Sequence, residues 1–266
     1  MTHSSSSLKI FLPFKVDHLI RLGNNNDGGY IVHFPSLQNA DYLLNYGVGY
    51  NVEFEKDFFK ATGLPTLAFD PTLKSFSLVF EKLKKGQLIP FLRHLKNYSE
   101  WFFKERTLKR YKIQFVQEGI SDKNSGEYKS LGYHFSKYDL HDKRIILKID
   151  VEGSEYPIFN DDKIYSILPN AVQILMEIHL IEKNIENLID MMNKISKTHS
   201  LIHIHANNHV GTFKYHGKDV PEAVEVTFLL NEFLPEKIYS SSSYPVAGLD
   251  QPCDRLKEDI SLDFFY

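Results

Sequence analysis

From residue 42 to residue 230 the chain alternates short apolar runs, rich in branched and aromatic side chains, with longer segments of helical character. That alternation restricts the fold to a largely parallel sheet covered by helices on both faces. Seven runs qualify as strands: 42–46, 66–69, 112–116, 144–149, 172–178, 201–205 and 224–230. Between them, 51–62 is expected to be a helix with Asn51 as its cap and Gly63 as its stop. A second helix over 180–197 places Ile185, Leu188, Ile189, Met192 and Ile195 at helical spacing. Ahead of the first strand, apolar stretches at 19–22 and 30–34 flank the turn-forming run Gly23 to Gly29, which predicts a hairpin with a long tip.

The remaining segments fit around this frame. Residues 73–107, interrupted at Gly86 and Pro90, read as a helical insertion between the second and third strands and hold the only tryptophan, Trp101. They form either a substrate cap or two covering helices packed through Phe91, Trp101, Phe102 and Phe103. Met1 to Ser7 is polar and serine-rich and is expected to fray. Four serines at 240–243, followed by Tyr244 and Pro245, predict an irregular loop and a C-terminal segment laid on the domain. No internal repeat or composition shift marks a boundary, so residues 1–266 are expected to form a single domain.

Composition serves mainly to exclude. Thirty-one basic against 34 acidic residues leave a net charge of −3, too little for a broad field that grips nucleic acid. No apolar run approaches the ~18 residues of a membrane span. A single cysteine, Cys253, rules out an internal disulfide and suits a reducing compartment. No basic-then-apolar leader opens the chain, and a cytoplasmic location is expected.

In an open parallel sheet, ligands bind beyond the carboxyl ends of the strands, near the point where strand order reverses. The first strand ends in Gly47, Val48, Gly49, Tyr50, Asn51, a GxG turn that lets backbone approach a ligand and leads into a helix. Asp70 ends the second strand 21 positions beyond Gly49, near the ~20 expected of a carboxylate that accepts from a ribose diol. Together they indicate an adenosine-bearing ligand. Val52 stands where the third glycine of a dinucleotide fingerprint belongs, which disfavours a nicotinamide cofactor and favours S-adenosylmethionine. Glu118, Gly119 and Ile120 follow the third strand, where they can sandwich an adenine. After the nearly all-apolar fourth strand come Asp150, Glu152 and Glu155, three acids in six residues. Such carboxylates accept from the ligand's ammonium, offset a positive charge or hold a cation; the plainer alternative is that Asp150 or Ser154 caps the next helix.

The run LKIDVEGSEY, Leu147 to Tyr156, closely resembles the signature of the FkbM-type S-adenosylmethionine-dependent methyltransferases. RLGNNNDGGYIV from Arg21, NYGVGYNVEFEKDF from Asn45, AFDPT from Ala68, EIH from Glu177, HANN from His205 and PEAVEVTFL from Pro221 are similar to segments of that family in the same order. The resemblance implies a Rossmann-like class I sheet of seven strands, the last antiparallel, and methyl transfer, usually to a hydroxyl oxygen. The implied acceptor is a small molecule or glycan: a sugar, a glycan precursor or a phosphoryl-linked group in capsule or natural-product biosynthesis. Carried over by position, Gly47, Gly49 and Asn51 meet the cofactor, Asp70 the ribose, Glu118, Gly119 and Ile120 the adenine, and Asp150 the methionine end. Asp27, Gly28, Gly29 and Tyr30 are expected to close over that end.

A hydroxyl acceptor must also lose its proton, and imidazoles at strand ends suit that task at neutral pH. His179, in MEIH, and His205, in HIHANN, are expected to face the cleft as candidate bases, with Glu177 binding the acceptor. A second arrangement resembles the catechol-type methyltransferases: magnesium or manganese on Asp150, Glu177 and either His179 or Asn207. His203 lies deeper on its strand and is expected to pack, whereas His209 and His216 read as solvated loop residues. Glu225, inside an apolar strand, needs a partner and either faces substrate or accepts a structural hydrogen bond. The rival readings are a non-catalytic adenosyl-ligand-binding scaffold and a nicotinamide-dependent oxidoreductase.

Overall fold

The computed structural model describes residues 5–72 and 108–265. The expected insertion over 73–107, with Trp101 and its neighbours, lies outside the described residues. A 3-10 turn, Ser5–Phe11, precedes the hairpin β1 (Leu19–Gly23) and β2 (Gly29–His33), whose tip is the predicted Gly23 to Gly29 run. The short α1 (Phe34–Leu37) leads into β3 (Tyr42–Tyr46), α2 (Glu53–Thr62), β4 (Thr66–Phe69) and β5 (Ile113–Val116). Next come the two-residue pair β6 (Gly119–Ile120) and β7 (Tyr128–Lys129), then α3 (Leu131–Lys137), β8 (Ile145–Ile149) and α4 (Glu155–Asn160). β9 (Ala171–Ile178), α5 (Ile181–Ile195) and β10 (His199–Ala206) follow, and a hairpin of β11 (Thr212–Tyr215) and β12 (Lys218–Pro221) carries the chain into β13 (Val224–Leu230). All seven expected strands are present, with ends shifted by at most two residues.

The seven strands form one sheet in the order β10-β13-β9-β8-β3-β4-β5. β5, β4, β3, β8 and β9 are parallel neighbours, and β13 lies antiparallel between β9 and β10. This is the Rossmann-like arrangement with a reversed last strand that the family resemblance implies. The chain moves outward from β3 to β5 and then returns to β8 beside β3, so strand order reverses between β3 and β8.

Strand alternation feeds two cores. Leu44, Tyr46, Leu147 and Ile149 face one side, where α3, α4 and α5 cover them with Phe135, Phe159, Leu188, Met192 and Ile195. Leu43, Ile146 and Leu175 face the other, beneath the hairpin and α2, which contribute Tyr30, Val32, Phe54 and Phe58. Phe54 and Phe58 stand four apart on α2, and burying each contributes roughly 1.5–3 kcal/mol. Gly63, with φ of 71°, ends that helix as expected. Its start differs: Val52 holds the cap position because it is drawn into the cluster of Val48, Ala68 and Ile113, while Asn51 Oδ1 accepts from the Glu53 amide at 3.2 Å. The C-terminal segment runs irregularly, as its serines and prolines predict, and wraps the β10 edge with Leu262, Phe264 and Phe265 buried.

Candidate active site

The GxG turn sits where the sheet requires it, at the carboxyl end of β3 beside the reversal. Gly47 has φ of 82° and packs so closely on the end of β8 that a Cβ there would overlap the Asp150 carbonyl. Gly49 has φ of 54° and faces open space, and its amide donates to Asp70 Oδ2 at 2.9 Å. Asp70 Oδ1 accepts from the Thr72 amide at 2.7 Å and the Thr72 hydroxyl at 2.6 Å. A buried carboxylate is thereby fixed in place at the wall of a cavity of about 400 Å³. Ile120, Gly119 and the Tyr128 ring line the far side of that cavity, and Asp150 and Glu152 its near side.

A second cavity, of about 420 Å³, lies on the other side of Gly47, Gly49, Asp150 and Glu152, which line both. Asp27, Gly28, Asn51, Lys148, Glu177, His179, Asn207 and His209 complete its working surface. Sheet register explains why these side chains meet. Ile149 of β8 pairs with Met176 of β9, so Asp150 and Glu177 stand side by side one step further on. Glu177 pairs with Glu225, and Glu225 with His205, extending one row across β9, β13 and β10.

Burial sets the charges. Asp150 is pushed up to about 6 by burial, with Lys148 opposing at 3.9 Å and Glu177 adding repulsion. The buried Tyr30 hydroxyl reaches Asp150 Oδ2 at 3.2 Å and Glu177 Oε2 at 3.4 Å, and its phenol is held well above the ordinary range by burial and these acids. Glu177 would be raised by burial, but hydrogen bonds from His179 and from Asn207 Nδ2, at 2.5 Å, bring it below the usual carboxylate value. His179 Nδ1 meets Glu155 at 2.9 Å, and Nε2 lies 3.3 Å from Glu177 and 3.7 Å from Glu152. Burial opposes its charge, yet Glu155 and Glu177 hold the imidazole up at about 10. Glu55, hydrogen-bonded to Asn45 on the cavity floor, is raised by burial to about 7.

Most of the expected residues converge here, with four corrections. His205 does not face the cleft: Nδ1 meets Glu225 at 3.2 Å and Nε2 meets Asp259 at 3.0 Å, and the ring is fully buried beneath the C-terminal segment. It has no free nitrogen with which to take a proton from an acceptor. His179 faces the cavity as expected, but as an imidazolium at neutral pH it donates hydrogen bonds and is not a resting base. Glu118 points away from the adenine side, into bonds with Lys137 at 2.8 and 2.9 Å and with His134 at 3.2 Å, while Gly119 and Ile120 do line the cavity. Gly29 serves the hairpin, where a Cβ would strike the Asn24 carbonyl, and Tyr30 acts from below, on the two acids.

His203 packs as expected, 3.0 Å from Asp250, and Glu225 takes the structural alternative, between His205 and Cys253. His209 is half-exposed, yet it lines the second cavity. Lys148, Asn45 and Glu55 are the site residues not singled out from the sequence, whereas Glu155, one of the three acids expected after the fourth strand, holds His179. Two-residue alternation does mark Lys148, which must share a face with Asp150.

The family model described as methyltransferase FkbM domain matches residues 25–200. No curated protein matches the sequence. Among solved structures, the chain is similar to an rRNA methylase from Streptococcus thermophilus, at 12% identity over 74% of this chain and 93% of that one, with a TM-score of 0.38. It is also similar to the precorrin-6y C5,15-methyltransferase of Geobacter metallireducens, at 10% identity over 74% of this chain and 85% of that one, with a TM-score of 0.35.

Proposed function

The chain belongs to the methyltransferase FkbM domain family and is a methyltransferase; from that premise we propose that it takes its methyl group from S-adenosylmethionine and places it on a hydroxyl oxygen of a sugar, a glycan precursor or a phosphoryl-linked group. The observation that carries this reading is the wall of Gly47, Gly49, Asp150 and Glu152 shared by two cavities, one suited to a nucleoside and the other rich in carboxylates and hydrogen-bond donors.

The residues present fit the cofactor. Ile120 and Tyr128 offer apolar surface to an adenine, and Asp70, already held by two backbone amides, keeps lone pairs for ribose hydroxyls. The bare backbone of Gly47 and Gly49, with Asn51 and Asp150, would hold the amino-acid tail. When bound, the cofactor supplies a methyl group on a sulfonium, whose C–S electron pair stays on sulfur as the new C–O bond forms.

The chain's own residues position the acceptor and remove its proton. Positioning of two reactants is worth roughly 7–11 kcal/mol in such displacements. The second N–H of the Asn207 amide is left to donate to an acceptor oxygen, and the His179 imidazolium adds positive charge beside it, which favours sugar hydroxyls and phosphoryl oxygens over apolar groups. Asp150, ionised above about 6, receives the hydroxyl proton, while Tyr30 and Lys148 steady its oxygens. Glu177, kept ionised by His179 and Asn207, balances the positive charge gathered there.

Calorimetric titration with S-adenosylhomocysteine, repeated with magnesium and after chelation, tests the cofactor assignment. Micromolar binding indifferent to the metal is expected, followed by tritiated methyl transfer to glycan acceptors. Transfer that disappears on chelation would favour instead a cation on Asp150, Glu177 and His179, whose ligand atoms lie within 4.8 Å of one another. A folded protein that binds nothing would return the chain to the scaffold reading.

A further inference from the structure

The far end of the cross-strand row presents a second cluster, outside both cavities. His205, Glu225 and Cys253 bring an imidazole nitrogen, a carboxylate oxygen and a thiol within 4.8 Å of one another, and all three side chains are buried. Glu225 Oε2 lies 3.2 Å from His205 Nδ1, and Glu225 Oε1 lies 3.7 Å from Cys253 Sγ. Donors on a tetrahedral zinc, with bonds of about 2.0–2.3 Å, are separated from one another by roughly 3.3–3.6 Å. Glu225 meets each of the other two near that spacing, through its two oxygens, and one ligand atom from each of the three residues lies within 4.8 Å of the others.

The outer contacts match as well. His205 Nε2 is bound to the Asp259 carboxylate at 3.0 Å, which fixes the ring with Nδ1 aimed at Glu225 and Cys253. A metal-ligating histidine characteristically gives its other N–H to a carboxylate in this way. We propose that His205 Nδ1, Glu225 and Cys253 Sγ bind a zinc-class divalent ion, with Asp259 as the outer partner of the imidazole. The mixed nitrogen, oxygen and sulfur set selects zinc or a neighbouring transition metal and disfavours magnesium and calcium, which take oxygen ligands.

Charge balance permits the exchange. Binding releases two protons to solvent, one from the thiol and one from the imidazolium, and admits two positive charges in their place. Counting both carboxylates as ionised, the buried cluster keeps the same net charge. Ligands 20 and 28 residues apart would then join β10, β13 and the C-terminal segment at one point. The ion fixes Glu225, the strand neighbour of Glu177, and touches neither cavity, so its role is to position and to hold the fold.

Cys253 is the only cysteine, which makes cobalt an unambiguous probe. Protein purified without chelator is expected to carry one zinc per chain by elemental mass spectrometry. Cobalt, added to the folded protein and also during refolding to reach a buried site, is expected to produce a thiolate-to-cobalt charge-transfer band that zinc abolishes. Asp259→Ala should weaken zinc affinity 10–100-fold while the band persists at saturating cobalt. Cobalt bound with no thiolate band, as the Asp150–Glu177–His179 group would bind it, overturns the proposal, as does a folded protein that takes up no cobalt by either route. Because both readouts use the unmodified chain, the test stands even if Cys253→Ser fails to fold.

Discussion

Asp150 and His205 stand at opposite ends of one row of paired residues, and the sheet treats them alike until something covers them. At the Asp150 end, the carboxyl ends of parallel strands open into two cavities, and acids, amide and imidazole face space that a ligand can fill. At the His205 end, the antiparallel β13 and the C-terminal segment close the same row, and His205, Glu225, Cys253 and Asp259 bond to one another. Glu177 lies between, touched by Tyr30 and Asn207 on the open side and paired with Glu225 on the closed one. Residue type therefore does not decide between reagent and clamp; cover does. The family match, over 25–200, contains Asp150, Glu177 and His179 of the open end, while Asn207 and His209 lie beyond it, as do His205, Glu225, Cys253 and Asp259.

The sharpest way to break the comparison is at its open end. Asp150→Asn is expected to lower methyl transfer by about 10²–10⁴-fold, the usual worth of a positioned base, with little change in S-adenosylhomocysteine affinity; an unchanged rate would remove Asp150 from the chemistry. At the closed end, in metal-free protein, His205→Ala leaves the buried Glu225 and the partly buried Asp259 without their cation and should cost about 3–5 kcal/mol of stability in urea melts. Cofactor affinity of the folded fraction should stay the same, and a large loss there would mean that the two ends are one site. Asp70→Ala should weaken S-adenosylhomocysteine by roughly 10- to 100-fold in calorimetry, as expected for lost hydrogen bonds to a charged group.

A pH series sharpens the contrast. His179 is raised from 6.5 to about 10, so the stability it contributes is complete below 6.5 and fades as pH climbs toward 10. In metal-free protein His205, pushed up to about 12, acts in the same direction over a wider range. His179→Gln should therefore flatten only part of the decline between pH 6.5 and 10, leaving the His205 share; loss of the whole slope would assign it to the open end alone. The smallest effect is expected from half-exposed His209: His209→Ala should change acceptor KM by less than about tenfold, with kcat intact.

The open end was largely legible in the sequence because topology forces it. Once 42–46 and 144–149 are strands of a parallel sheet, Gly47, Gly49, Asp70 and Asp150 must gather at its carboxyl edge. The closed end was not legible. Asp250, Cys253 and Asp259 belong to a segment without periodicity, so nothing local says which strand they will meet 20 to 55 residues away. His205 was misplaced for that reason: alternation gives the face it points to, but not what covers that face. Lys148 and Glu55 escaped notice because each sits within an apolar strand or helix pattern, where a charge is visible only through its buried partners.

The reversed strand β13 has a further consequence. To enter the sheet antiparallel, the chain must arrive at the carboxyl edge, and it does so through the β11–β12 hairpin, flanked by Asn207, His209, Val210 and Ala223 on the cavity rim. Among the described residues that hairpin pairs only with itself, and much of it is solvent-exposed. Its ten residues, Thr212 to Pro221, form no rung of the seven-stranded ladder, and Phe213 and Val220 anchor them in the main core, so the exposed turn at His216 and Gly217 is the part that can be lengthened or exchanged without disturbing the sheet. A lineage built on this scaffold can vary that turn near the cavity rim while the ladder that carries the site is inherited intact.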